Sequence, residues 1–150
     1  MQGLRIGGHP LHPALVHFPV ACWTAAPLLD LGWLLTQAPA WWQAAFWCVA
    51  VGVVMGLLAM CAGLMDLMAL AAEHGAQATA QRHMLIMGTA WCLYVVVLLL
   101  QRPDRMPTVP QAWGTLALSA AGFLLLAVGA YQGARLVYDF GVGQNPHKRP

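Results

Sequence analysis

Three histidines stand close together near the start of the chain, in the run His9-Pro10-Leu11-His12-Pro13-Ala14-Leu15-Val16-His17-Phe18-Pro19, which leads straight into an apolar segment. A neutral imidazole nitrogen binds a transition metal or a haem iron, and it relays protons near neutral pH. Imidazole is also costly in hydrocarbon, so a segment that served only as an anchor would not carry it.

Tracing depth at about 1.5 Å per helical residue gathers other polar residues at the same end. His17 lies about one turn inside the first apolar segment, Asp66 about two turns before the end of the second, and His83 at the opening of the third. Arg135 and Asp139 close the fourth. Two imidazoles reaching from separate helices at matched depth are a common way of holding haem b in a membrane. The leading expectation is therefore a b-type haem with His17 and His83 as axial ligands and Arg135 placed to meet a propionate. The alternative is a bare ion, Zn, Cu or Fe, held by His12, His17, His83 and Asp66, since imidazole suits these metals and a carboxylate completes the shell. A proton relay beside Asp66 and a purely structural accessory role use the same residues. Asp66 and Arg135 are also expected to pair as a salt bridge between the second and fourth helices, with Tyr131 and Gln132 nearby to satisfy it. His9 and His12 each precede a proline, which biases them toward an extended lead-in that caps a site.

Those residues need a scaffold, and the composition describes one. Of 150 residues, 60% are hydrophobic and only 8% are charged, with mean hydropathy +0.64; soluble domains are nearer one quarter charged. No charged residue occurs from Leu31 to Met65 or from Met106 to Ala134, and each run is long enough to cross a bilayer core of about 30 Å. Apolar runs and their breakers define four spans, roughly 13–36, 41–72, 82–101 and 111–138. The breakers are Gln37-Ala38-Pro39, Glu73-His74-Gly75-Ala76-Gln77 and the proline-bearing Arg102-Pro103-Asp104-Arg105-Met106-Pro107. Short loops predict sequential neighbours, hence an all-α, integral membrane four-helix bundle of antiparallel up-down topology in one domain, ending in a polar tail.

Arg5, Arg82, Arg135, Lys148 and Arg149 fall on one side and Arg102 and Arg105 on the other, which predicts an inner-membrane protein with both termini cytoplasmic. Trp33, Trp41, Trp42, Trp47 and Trp113 read as interface anchors, while Trp23 and Trp91 lie deeper and line the interior. Cys22, Cys61 and Cys92, with Met55, Met60, Met65 and Met87, resemble a soft-metal lining, but core filling explains them better. Gly52 and Gly56, Ala59 and Gly63, and Gly129 and Gly133 recur at the spacing that lets helix backbones approach in lipid. Bundle packing is the favoured reading over a homodimer. With a net charge of +2 and scattered basic residues, the chain lacks a nucleic-acid footprint. It has no phosphate loop, nucleophile elbow or zinc-hydrolase motif either. The partners left are the lipid bilayer and, for an electron-transfer role, a redox protein.

His9-Pro10-Leu11-His12-Pro13 leading to Val16-His17-Phe18-Pro19, then Gly63-Leu64-Met65-Asp66, Arg82-His83, Gly133-Ala134-Arg135-Leu136-Val137-Tyr138 and Gly141-Val142-Gly143 together resemble a bacterial four-span membrane family, domain of unknown function 2231. The likeness covers nearly the whole chain. It implies a bundle similar to the cytochrome b561-like and ferric-reductase-like haem proteins, with His9, His12, His17, Asp66, His83 and Arg135 to Tyr138 as motif positions. Histidines at one end only depart from a two-haem pattern, so electron transfer would reach only partway across.

Overall fold

Prolines and one left-handed glutamine divide this chain into rods. The computed structural model describes residues 4–71 and 75–144. Glu73, His74 and most of the polar tail lie outside the described residues.

The chain opens with a small antiparallel hairpin, β1 (Arg5–Ile6) and β2 (His9–Pro10), with Arg5 opposite Pro10 and Ile6 opposite His9. Gly7 and Gly8 take φ of +58° and +81° at its turn, a backbone that glycine adopts without a Cβ penalty. Helix α1 (Leu11–Leu15) follows at once, then α2 (His17–Thr36). Pro13 lies in the first turn of α1, where its missing N–H breaks no helical bond, so His12 is helical although a proline follows it. Pro19, in the first turn of α2, cannot donate to the Leu15 carbonyl, and the helix is interrupted at Val16 between α1 and α2. At Gln37 (φ +56°) the chain turns left-handed, its N–H donating to Trp33 O at 2.7 Å. Pro39 then starts α3 (Pro39–Ala69).

The remaining rods are α4 (Gln77–Leu100) and α5 (Val109–Tyr138). Thr108 caps α5 by accepting from Gln111 N, with a proline in its first turn. Helix α4 starts five residues before the expected 82, because Gln77-Ala78-Thr79-Ala80-Gln81 is polar enough to read as a loop yet made largely of helix-compatible residues. At 31 residues, α3 is about 46 Å long, well over a bilayer core.

The segment Leu11–Thr36 and helices α3, α4 and α5 are long and apolar enough to cross a membrane, and they pack together as an all-α bundle. Helix α2 lies against α3 and α5, α3 against α4, and α4 against α5. Leu28, Leu35, Val54, Leu85, Leu99 and Leu124 point outward, which suits lipid. In lipid, packing rather than burial from water holds such helices together. Here the packing centres on Trp23, stacked on Tyr94 with ring centres 4.6 Å apart and planes 7° from parallel. Ala26, Val49, Val97 and Leu126 surround them.

Tyr94 also repairs a proline defect. Pro27, inside α2, has no N–H to donate to the Trp23 carbonyl one turn earlier. The Tyr94 hydroxyl lies 2.8 Å from that carbonyl and 3.0 Å from Ser119 O, sharing its proton between helices α2 and α5. Trp33 and Trp42, expected at the interface, are instead buried against each other and Ala112. The Trp42 indole N–H donates to Arg102 O at 2.8 Å, pinning the α4–α5 loop. Trp41, Trp47 and Trp113 are exposed, as interface anchors are.

Gly52 and Gly56 supply the space for Trp23: a Cβ on Gly56 would sit 2.9 Å from its ring, and one on Gly52 closer still. Because Trp23 is held by its stack on Tyr94, it cannot retreat. Gly52→Ala is therefore expected to destabilise the detergent-solubilised protein by about 1–3 kcal/mol. Thermal unfolding followed by circular dichroism checks this; an unchanged midpoint would mean that the indole yields freely.

Candidate functional site

Two histidines meet at one end of the bundle, and each is aimed by a backbone carbonyl. His12, on α1, lies with Nδ1 2.8 Å from Ala59 O of α3. His83, on the first turns of α4, lies with Nδ1 2.8 Å from Gly129 O of α5. A carbonyl oxygen only accepts, so in both rings Nδ1 carries the proton and donates it. That fixes the tautomer and leaves Nε2 with its lone pair available. The two ring centres are 6.3 Å apart and the planes stand at 86°. Glycine backbone makes the room: a Cβ on Gly63 would come within 3.0 Å of the His12 ring, and one on Gly133 within 3.2 Å of the His83 ring.

His17 is not part of this pair. It sits five residues after His12, about 140° round a helix of 3.6 residues per turn, so when His12 faces inward His17 faces out. Its ring is exposed, 3.4 Å from Ala14 O, and it lines an apolar outer groove of α2 with Val20, Ala21 and Leu28. His9 is exposed in the hairpin. The expected Asp66–Arg135 salt bridge does not form among the described residues. Arg135 Nε instead donates to Asp139 Oδ2 at 3.0 Å, one turn along its own helix, because an (i, i+4) pair is reachable without crossing the bundle. Asp66 is half-buried on α3 with no polar partner among the described residues. No three histidine, cysteine, aspartate or glutamate side chains come together as a metal cage among the described residues. The set His12, His17, His83 and Asp66 is therefore not assembled.

A second polar centre lies toward the other end. Asp30 of α2 is fully buried. Its Oδ1 accepts from Gln101 Nε2 and its Oδ2 from Ser119 Oγ, each at 2.9 Å. These contacts tie α2 to the end of α4 and to α5. Gln101 is 1% exposed, and its Oε1 has no hydrogen-bond partner among the described residues. Thr115, also buried, donates to Ala112 O at 3.0 Å.

The family model described as predicted membrane protein (DUF2231) matches residues 8–146. The chain belongs to the DUF2231 family. Nothing among curated proteins or solved structures matches it.

The match takes in both polar centres of this DUF2231 chain. The signal for the second was visible as a lone carboxyl, Asp30, inside an apolar run, where an ionisable group needs buried partners. Asp30 is not among the site residues expected from the sequence. Its partners are neutral, and neither Gln101 nor Ser119 stands out in a sequence. The two DUF2231 centres differ in what they offer. The histidine end has two nitrogens fixed in direction and available for coordination, while the Asp30 end has oxygen acceptors in a packed interior.

Proposed function

We propose that the protein binds a transition-metal ion within the membrane through His12 and His83. The observation that carries this reading is the pair itself: two rings on different helices, each held through Nδ1–H by a carbonyl, with centres 6.3 Å apart. An ion about 2.0–2.1 Å from one nitrogen of each ring leaves opposed imidazoles with centres about 6 Å apart. Second-shell carbonyls of this kind orient metal-bound imidazoles and raise their basicity. Nitrogen ligands without a carboxylate favour Cu, Zn or Fe over the hard cations.

A haem b iron with the same two axial ligands is the second reading, favoured by the same ring separation. A porphyrin also needs a slot between helices, and neither of the grooves on α2 and at the α4–α5 loop is lined by His12 or His83. The bare ion therefore fits better. In this reading the histidine end works as a single-ion redox or metal-handling site, served by a partner protein that delivers electrons or metal.

One purified sample discriminates. Protein expressed with supplemented metals and haem precursor, then examined by elemental analysis and by absorption spectroscopy before and after reduction, is expected to carry close to one equivalent of Cu, Zn or Fe and no Soret band. A Soret band with haem-type reduced peaks would establish the second reading. Protein free of both metal and haem, and taking up neither on titration, would defeat the proposal.

A further inference from the structure

A carboxyl inside an apolar bundle needs either a charged partner or a reason to be there, and among the described residues Asp30 has no charged partner. The groups facing it are set out by the elements packed around it. Helix α4 presents Gln101 and, a little deeper, an ionisable neighbour, Tyr94, whose hydroxyl is turned to the Trp23 and Ser119 carbonyls. Helix α5 presents the neutral Ser119 and Thr115. Helix α3 presents Trp42 against Trp33, and its ionisable side chain nearest in depth, Cys48, sits against Cys22 of α2. The charges on this side, Arg102, Asp104 and Arg105, are on the loop.

Acceptors outnumber donors at this centre. The Ser119 hydroxyl proton and one Gln101 N–H are committed to the carboxyl, and Gln101 Oε1 is buried without a donor among the described residues. A group that binds here must bring a hydrogen-bond donor and fit where Asp30 and Gln101 leave almost no exposed surface. A proton meets both conditions, since it needs no cavity. There is also an approach. A groove of about 420 Å³, lined by Phe46, Ala50, Leu98, Gln101 and Arg102, runs from the α4–α5 loop to Gln101.

We infer that Asp30 is an intramembrane proton-binding site, reached from the α4–α5 loop along this groove and gated by the Gln101 amide. A proton from a hydronium ion in the groove bonds to a carboxylate oxygen of Asp30, leaving water behind. The new O–H then needs an acceptor. Gln101 supplies it by turning its amide half a turn, so that Oε1 accepts from the acid and Nε2 takes the place Oε1 held. Ser119 keeps its bond to the other oxygen. Release reverses the sequence, and no further reactant enters.

The test uses the unmodified protein. A hydrophobic carbodiimide adds to carboxyl groups that carry a proton, and peptide mass spectrometry locates the adduct. In detergent-solubilised protein the expected result is an adduct at Asp30 whose yield is lost progressively as pH is raised. A water-soluble carbodiimide labelling the exposed Asp104 and Asp139 serves as the reactivity control. Ala50→Phe, which fills the groove, is expected to remove most of the Asp30 adduct. Absence of an Asp30 adduct at every pH, while Asp66 reacts, would overturn the inference, as would a yield indifferent to pH. Undiminished labelling in correctly folded Ala50→Phe would overturn the groove as the route. Should that variant not fold, the pH series on the wild-type chain decides alone.

Discussion

Asp30→Ala is expected to be among the most damaging single substitutions in the bundle, lowering the stability of the detergent-solubilised protein by about 2–3 kcal/mol. The loss comes from what remains behind. Without the carboxyl, the Ser119 hydroxyl and the Gln101 amide N–H, both buried, lose their acceptors at once. A buried donor left without a partner costs about 1–3 kcal/mol in water-soluble proteins. Interhelical polar contacts in membrane proteins average nearer 0.6 kcal/mol and reach about 1.7, so two of them bring the sum to the lower part of the range. A small void is added where three helices meet.

The graded variants identify the cause. Asp30→Asn keeps an acceptor for one of the two donors and is expected to lose less than half as much as Asp30→Ala. Ser119→Ala removes a donor and leaves the carboxyl bonded to Gln101, for about 1 kcal/mol. The double variant Asp30→Ala/Ser119→Ala should fall short of the sum of the singles, because residues in one network do not act independently. Unfolding by a denaturing detergent in mixed micelles measures all four. Equal stability of Asp30→Ala and wild type would mean that Asp30 is not a structural node, leaving its chemistry to be argued on proton exchange alone.

The four rods were legible in the sequence because charge-free runs and prolines are signals of composition, and composition survives without knowing how the rods turn. Rotation was not legible. In a soluble helix the polar face announces which side is out, whereas lipid tails are as apolar as a protein core. Helices such as α3 accordingly show no polar stripe. That is why the sequence points to His17 as the axial partner of His83 and to His12 as a lead-in, whereas the angle around the helix turns His12 toward His83 and His17 outward. The same blindness hid the roles of Trp33 and Trp42. Aromatic residues near the ends of spans read equally well as anchors or as core, and here two are buried and three are not. The proline rule misled at His12 for a different reason. Its extended bias holds in general, but a proline within the first helical turn is tolerated, so the capping lead-in is itself helical.

His12→Ala and His83→Ala are each expected to weaken metal binding by at least about 100-fold, and His17→Ala to leave it within about threefold of wild type. The asymmetry follows from orientation rather than from residue type. His12 and His83 are the rings whose Nδ1–H groups are held at 2.8 Å by the Ala59 and Gly129 carbonyls, and their ring centres lie 6.3 Å apart with the planes at 86°. His17 is exposed on the outer face of the first rod. A donor that must swing round a helix to reach the ion contributes little, whereas losing one of two oriented ligands removes the site. Gly63→Ala offers an independent check that leaves every ligand in place: its Cβ would press on the His12 ring from 3.0 Å, tilting Nε2 off line, and should weaken binding by a smaller factor. Titration of the purified variants with Cu or Zn, read by competition with a chromogenic chelator, supplies the numbers. If His17→Ala proved as damaging as His12→Ala, the ion would have to lie on the outer groove of α2, and the inward-facing pair would be no more than a brace between α1, α3, α4 and α5.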